Sequence, residues 1–119
     1  MQSYKDLIVW QRSVQLVTTV YRLTEIFPKS EMFGLTSQMR RAAVSIPSNI
    51  AEGFARKHRL EYIQFLRISF GSGAELETQI LLAENLGFTK TKETETVRAT
   101  LDETMRMLNK LISSLVAKG

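Results

Sequence analysis

Apolar residues recur at helical spacing in four long stretches of the chain, and alternation of the kind a strand needs is never sustained. The clearest stretch follows Gly34. There Leu35, Met39, Ala42, Ile46, Ile50 and Phe54 stand three or four residues apart, and the stripe keeps its phase through Pro47. On the adjoining face Gln38, Arg41, Ser45, Asn49, Glu52 and Arg56 make a polar stripe of the same period. A proline inside a helix removes one backbone donor and crowds the carbonyl four residues earlier, at a cost of roughly 3 kcal/mol. Unbroken phase therefore predicts one helix kinked at Pro47, with Ser45, Ser48 or Asn49 available to satisfy the carbonyl freed at Ala43. Thr36 or Ser37 is available as its cap.

The first period runs from Tyr4 or Asp6 to about Phe27. Leu7, Trp10, Val14, Val17 and Tyr21 mark its stripe, with Leu16, Val20 and Leu23 widening it. Asp6 suits the start of a helix dipole, and Pro28 stops the helix. The third period runs from Arg59 to about Leu86 and ends at Gly87; Tyr62, Phe65 or Leu66, Ser69, Gly73, Leu76, Ile80 and Ala83 line one side. Gly71 to Ala74 lie in its middle, where each glycine costs a helix up to ~1 kcal/mol. They mark either a weak point or a close approach of a neighbouring backbone, and the persistence of the apolar period on both sides favours the close approach. The fourth period, about Thr91 to Val116, places Val97, Leu101, Met105, Leu108, Ile112 and Leu115 at alternating four-three spacing, the seam of an antiparallel bundle. Four amphipathic helices with short connections predict an all-α, up-down-up-down bundle spanning residues 1–119 as a single domain.

Composition narrows the classes of function. The 119 residues suffice for a core without staples, and the absence of cysteine excludes disulfides and thiolate metal sites. No secretory h-region opens the chain, and no apolar run approaches the ~20 residues that cross a bilayer. A cytoplasmic protein with no membrane association is the expectation.

The net charge of +4 is unevenly placed. Residues 35–67 hold Arg40, Arg41, Arg56, Lys57, Arg59 and Arg67 against Glu52 and Glu61, and the remainder of the chain balances. Such a patch either attracts polyanions or is a solvated charged face. Arg40, Arg56, Lys57, Arg59 and Arg67 are the candidate nucleic-acid contacts. Aromatic residues are not interleaved with the basic run, so binding dominated by phosphate contacts is expected over reading of single-stranded bases.

Catalytic templates find no match. His58 is the sole histidine, sits in the basic run Arg56–Arg59, and has no Glu-x-x-His partner, so an exposed helix-start residue is expected rather than a general base. No metal-ligand motif, phosphate loop or dinucleotide fingerprint is present, and no cofactor is expected. Glu75 and Glu77 lack an accompanying nucleophile or ligand. An ion pair from Arg41 to a glutamate, inside the bundle or at a subunit contact, is the simpler use for them.

The segments LTSQMRRAAVSIPSNIAEG and EYIQFLRISFGSGAELETQ, with YKDLIVWQRS and the linker Phe27 to Thr36, closely resemble the four-helix-bundle family of 23S rRNA intervening-sequence proteins over about residues 4–88. The resemblance implies a left-handed bundle and a ring of five subunits. The chain is also similar to the accessory protein of diversity-generating retroelements, a pentameric bundle that binds a reverse transcriptase and nucleic acid. Arg40, Arg41, Ser45, Pro47, Asn49, Glu52 and Gly53 sit on the signature positions of the second helix, and Glu75 and Glu77 on those of the third, beside Gly73. Ser69 before Phe70 departs from the alanine common there. The family brings no catalytic residue to carry over. The expectation is a non-enzymatic homo-oligomer that binds RNA or DNA through a basic surface, with a protein-interaction scaffold as the alternative.

Overall fold

The computed structural model describes residues 3–119. They form four helices: α1 (Ile8–Thr24), α2 (Leu35–Ala55), α3 (Arg59–Asn85) and α4 (Glu95–Ala117), with 3-10 turns at Tyr4–Asp6 and Lys29–Glu31. No strand occurs among the described residues. Each helix touches its neighbours in the order α1, α2, α3, α4 and back to α1, while the diagonal pairs do not meet. The result is an antiparallel bundle of 45 × 22 × 20 Å with the core along its axis.

α2 is continuous across Pro47, and its apolar stripe is buried from Leu35 through Met39, Ala42, Ile46 and Ile50. The backbone around the proline is held by side chains. Asn49 Nδ2 donates to the Ser45 carbonyl (2.8 Å) and to Ser45 Oγ (2.9 Å), and Ser69 Oγ reaches across from α3 to the Ile46 carbonyl (2.9 Å). Ser45 and Asn49 thus act beside Pro47 as a pair, on the carbonyl of Ser45 rather than that of Ala43. Ser69 is fully buried and is the donor that ties α3 to this turn.

Three local expectations need correction. Thr36 and Ser37 lie inside α2 and cap nothing; the carboxylate of Glu31, in the preceding turn, accepts from the Leu35 amide at 3.2 Å. α4 begins at Glu95, not Thr91, because Thr94 is buried as its cap residue, donating to Glu84 Oε2 (2.6 Å) and accepting from Arg98 Nε (2.9 Å). In α1 the core face is Val9, Ser13, Leu16, Val20 and Leu23, while Val14 and Tyr21 of the expected leading stripe are 37% and 40% exposed. Ser13 disguises the true stripe: it is buried with its hydroxyl donated to the Trp10 carbonyl at 2.8 Å, so a polar residue behaves as core.

The glycines of α3 divide. A Cβ at Gly73 would lie 2.1 Å from Met105 Sδ of α4, which is the expected close approach. Gly71 has nothing within 4 Å of that position and faces outward, so close packing does not explain it within the chain. A second close approach, against an atom fixed to the neighbouring backbone, lies at Gly53, whose Cβ would stand 2.7 Å from Phe65 Cβ and 3.1 Å from Tyr62 Cδ1. α3 ends as expected: Gly87 takes φ 77°, and the Phe88 amide bonds back to the Ala83 carbonyl (2.9 Å) in a left-handed helix stop.

Candidate functional site

Up-down topology returns the start of α3 and the end of α4 to one end of the bundle, so residues distant in sequence gather there. The connection between α2 and α3 is only Arg56–His58. It turns through Lys57, which sits at φ 55°, a left-handed conformation costly for a residue with a Cβ. His58 is extended and caps α3, its Nδ1 accepting from the Glu61 amide at 3.5 Å with the Glu61 carboxylate 3.6 Å away. That is the helix-start role expected of it.

The five candidate cations meet different fates. Arg59 Nη1 donates to the Leu115 carbonyl of α4 at 3.1 Å, placing positive charge on the carbonyl end of that helix, where its dipole favours a cation. Arg56 pairs with Glu52 (3.0 Å) and approaches Glu61 (3.7 Å), with its guanidinium 5.1 Å from the Phe65 ring centroid. Arg40 is not at this end: it lies against α1, donating to Thr24 Oγ1 (2.9 Å) and stacking 4.5 Å over Tyr21. Lys57 and Arg67 are exposed and have no ion pair or hydrogen bond from their side chains among the described residues. Arg67 projects into the seam between α3 and α4, in a groove of about 590 Å³ with Phe70, Asn109, Ser113 and Val116.

Three of the polar residues expected as signature positions, Arg41, Ser45 and Glu75, meet at a second site on the α2–α3 face. Gln38, Arg41, Ser45, Ser72 and Glu75 line a shallow cavity of about 380 Å³, with Ser72 Oγ donating to Ser45 Oγ at 2.9 Å in its floor. Arg41 and Glu75 are both exposed at its rim, and Arg41 makes no ion pair among the described residues. The expected salt bridge from Arg41 into the bundle is therefore absent, because the polar stripe of α2 faces outward beside α3. Behind the rim Gln79 is buried, with Nε2 3.4 Å from Glu75 Oε2 and Oε1 unpartnered.

Glu77 lies on the other side of α3. With Glu84, Glu95 and Asp102, against the single cation Arg98, it lines a predominantly acidic groove of about 770 Å³ along the α3–α4 seam. Glu75 and Glu77 are thus not a carboxylate pair, and Glu52 is engaged with Arg56. No group of three or more His, Cys, Asp or Glu side chains suited to a metal ion occurs among the described residues.

Sequence reasoning missed Phe70 and Asn109 beside Arg67, since helical phase locates a residue on its own helix but not the seam it shares with another. Tyr62 was legible only as apolar stripe. Its hydroxyl is buried without a partner, and burial raises the phenol pKa above its usual 10.0. No helix among the described residues is long and apolar enough to cross a membrane.

No curated protein matches the chain. A solved structure from Bacteroides thetaiotaomicron VPI-5482, described as a protein of unknown function from the S23 ribosomal protein family, superposes with a TM-score of 0.82, covering 89% of this chain and 96% of that one at 20% identity. That likeness shows the shared bundle fold. Residues 5–110 match the profile of the family described as 23S rRNA-intervening sequence protein, and the chain belongs to that family.

Proposed function

We propose that this protein is a non-enzymatic, oligomeric binding module of the cytoplasm that holds nucleic acid by its backbone phosphates at the basic end of the bundle. The observation that carries the reading is the gathering of Arg56, Lys57, Arg59 and Arg67 at that end, with Lys57 and Arg67 left unpaired at the surface. Exposed cations without internal partners are the ones that release counterions on meeting a polyanion. Labelled RNA and duplex DNA titrated at two salt concentrations test it: binding at low salt that weakens steeply with added salt is expected. Absence of binding at low salt refutes it.

A scaffold is the second reading, favoured by two observations. Arg40, Arg56 and Arg59 are engaged within the chain. Large apolar side chains also remain outside the core on α1 and α3, among them Ile8 and Leu60, each 60% exposed. Such surface suits self-association into a ring of five, as the family resemblance implies, or docking of another protein. Charge reversal at Lys57 and Arg67 separates the readings. Lost nucleic-acid binding with unchanged light scattering supports the module; binding that survives the reversal refutes the basic end as its site, and no binding to begin with, with the oligomer retained, supports the scaffold.

A further inference from the structure

The seam between α3 and α4 is divided by charge. Near its middle Met105 of α4 packs against Gly73 of α3. On one side lies the groove of Glu77, Glu84, Glu95 and Asp102, four carboxylates against the single cation Arg98. On the other, two adjoining grooves of about 590 and 430 Å³ share Arg67 and Val116, and the second reaches Arg59. No acidic side chain lines this half.

Phe70 stands one helical turn beyond Arg67 on the same wall, 36% exposed. Beside it Gly71 leaves open space where a side chain would otherwise project, at a mid-helix position that nothing inside the chain requires to be glycine. Asn109 and Ser113 face them from α4, and Gln64 lines the adjoining groove. An unpaired guanidinium next to an accessible aromatic ring is the chemistry that takes a phosphate and its base together. The amide and hydroxyl groups opposite can both donate and accept, as base edges and a ribose 2′-hydroxyl require.

We propose that the basic half of the α3–α4 seam binds unpaired RNA, with a base stacked on Phe70, its phosphate on Arg67, and Gln64, Asn109 and Ser113 available to base edges and ribose. This rests on the reading of the basic end as a phosphate-binding surface and adds to it a preference for single strands, since a stacked duplex does not offer the face of a base to a side chain. The acidic half repels a polyanion and confines the strand to the half next to Arg59.

The test uses a labelled single-stranded RNA of ~10 nucleotides, the same sequence as DNA, and the RNA duplex, against the wild-type protein, Phe70→Leu and Phe70→Trp. Phe70→Leu keeps apolar packing while removing the ring. Single-stranded RNA binding more tightly than duplex, weakened about tenfold by Phe70→Leu and retained by Phe70→Trp, is the expected result. Equal binding of the DNA strand overturns the ribose contact. Salt-sensitive binding indifferent to Phe70→Leu, or a change of oligomeric state in Phe70→Leu, overturns the groove while leaving the basic-end reading standing. No binding of any of the three at low salt overturns both.

Discussion

Two residues sit in conformations or surroundings that their chemistry does not favour. Lys57 holds φ 55° in a three-residue connection, where a glycine would carry no Cβ penalty. Lys57→Gly is expected to raise unfolding stability by about 1 kcal/mol in a denaturant titration while removing an exposed cation. A loss of stability would mean the side chain supports the turn. Tyr62 buries a hydroxyl with no partner, so Tyr62→Phe is expected to leave stability unchanged or raise it by up to ~1 kcal/mol. The pH dependence has a definite sign. Burial raises the folded-state phenol pKa above 10.0, so the unfolded chain ionises first and stability falls as pH rises through that value. Denaturation midpoints above pH ~10 should fall less steeply in Tyr62→Phe than in the parent protein. Equal slopes would show that the phenol is solvated.

Three glycines test how the elements pack. Gly53→Ala drives a methyl into Phe65 Cβ, an atom fixed to the α3 backbone, and is expected to cost about 1–3 kcal/mol. Gly73→Ala meets the sulfur of Met105, a side chain that can turn aside, and is expected to cost less. Gly71→Ala meets nothing and is expected to add about 0.5–1 kcal/mol through helix propensity. Thermal melts that reverse this order would contradict the helix contacts described here. The same elements show what the sequence made legible. The stripe of α2 was readable because its buried positions, Thr36 aside, are apolar and keep phase through Pro47. The stripe of α1 was read in part: Leu7, Leu16, Val20 and Leu23 are buried as expected, but Ser13 is core while Val14 and Tyr21 are surface. The start of α4 was missed because Thr94 owes its place to Glu84 on another helix, a contact without local signal.

At the scale of the molecule, the bundle sorts charge that the chain carries in no obvious order. The basic run after α2 is visible in the sequence. That the C-terminus of α4 returns to it, that Arg59 caps that helix, and that Phe70 shares a groove with Arg67 depend on tertiary contacts. Arg12 and Glu103 tie α1 to α4 by an ion pair across the bundle, so the fourth face is closed by charge as well as by its apolar seam. The polar residues of the α2 signature split between two tasks: Ser45 and Asn49 hold the backbone beside Pro47, and Arg41 lines an exposed cavity with Glu75. The sequence placed these residues on one polar stripe, but only the packing separates the structural ones from those that face solvent.

The most direct test of the central claim is the salt dependence of nucleic-acid affinity for the parent protein and for Arg67→Gln. A phosphate-holding basic end predicts a logarithmic slope of about −0.7 to −0.9 per phosphate engaged, and a slope shallower by about one such increment in Arg67→Gln, with the oligomer unchanged. No measurable binding at low salt, or a slope that Arg67→Gln leaves unaltered, would contradict it.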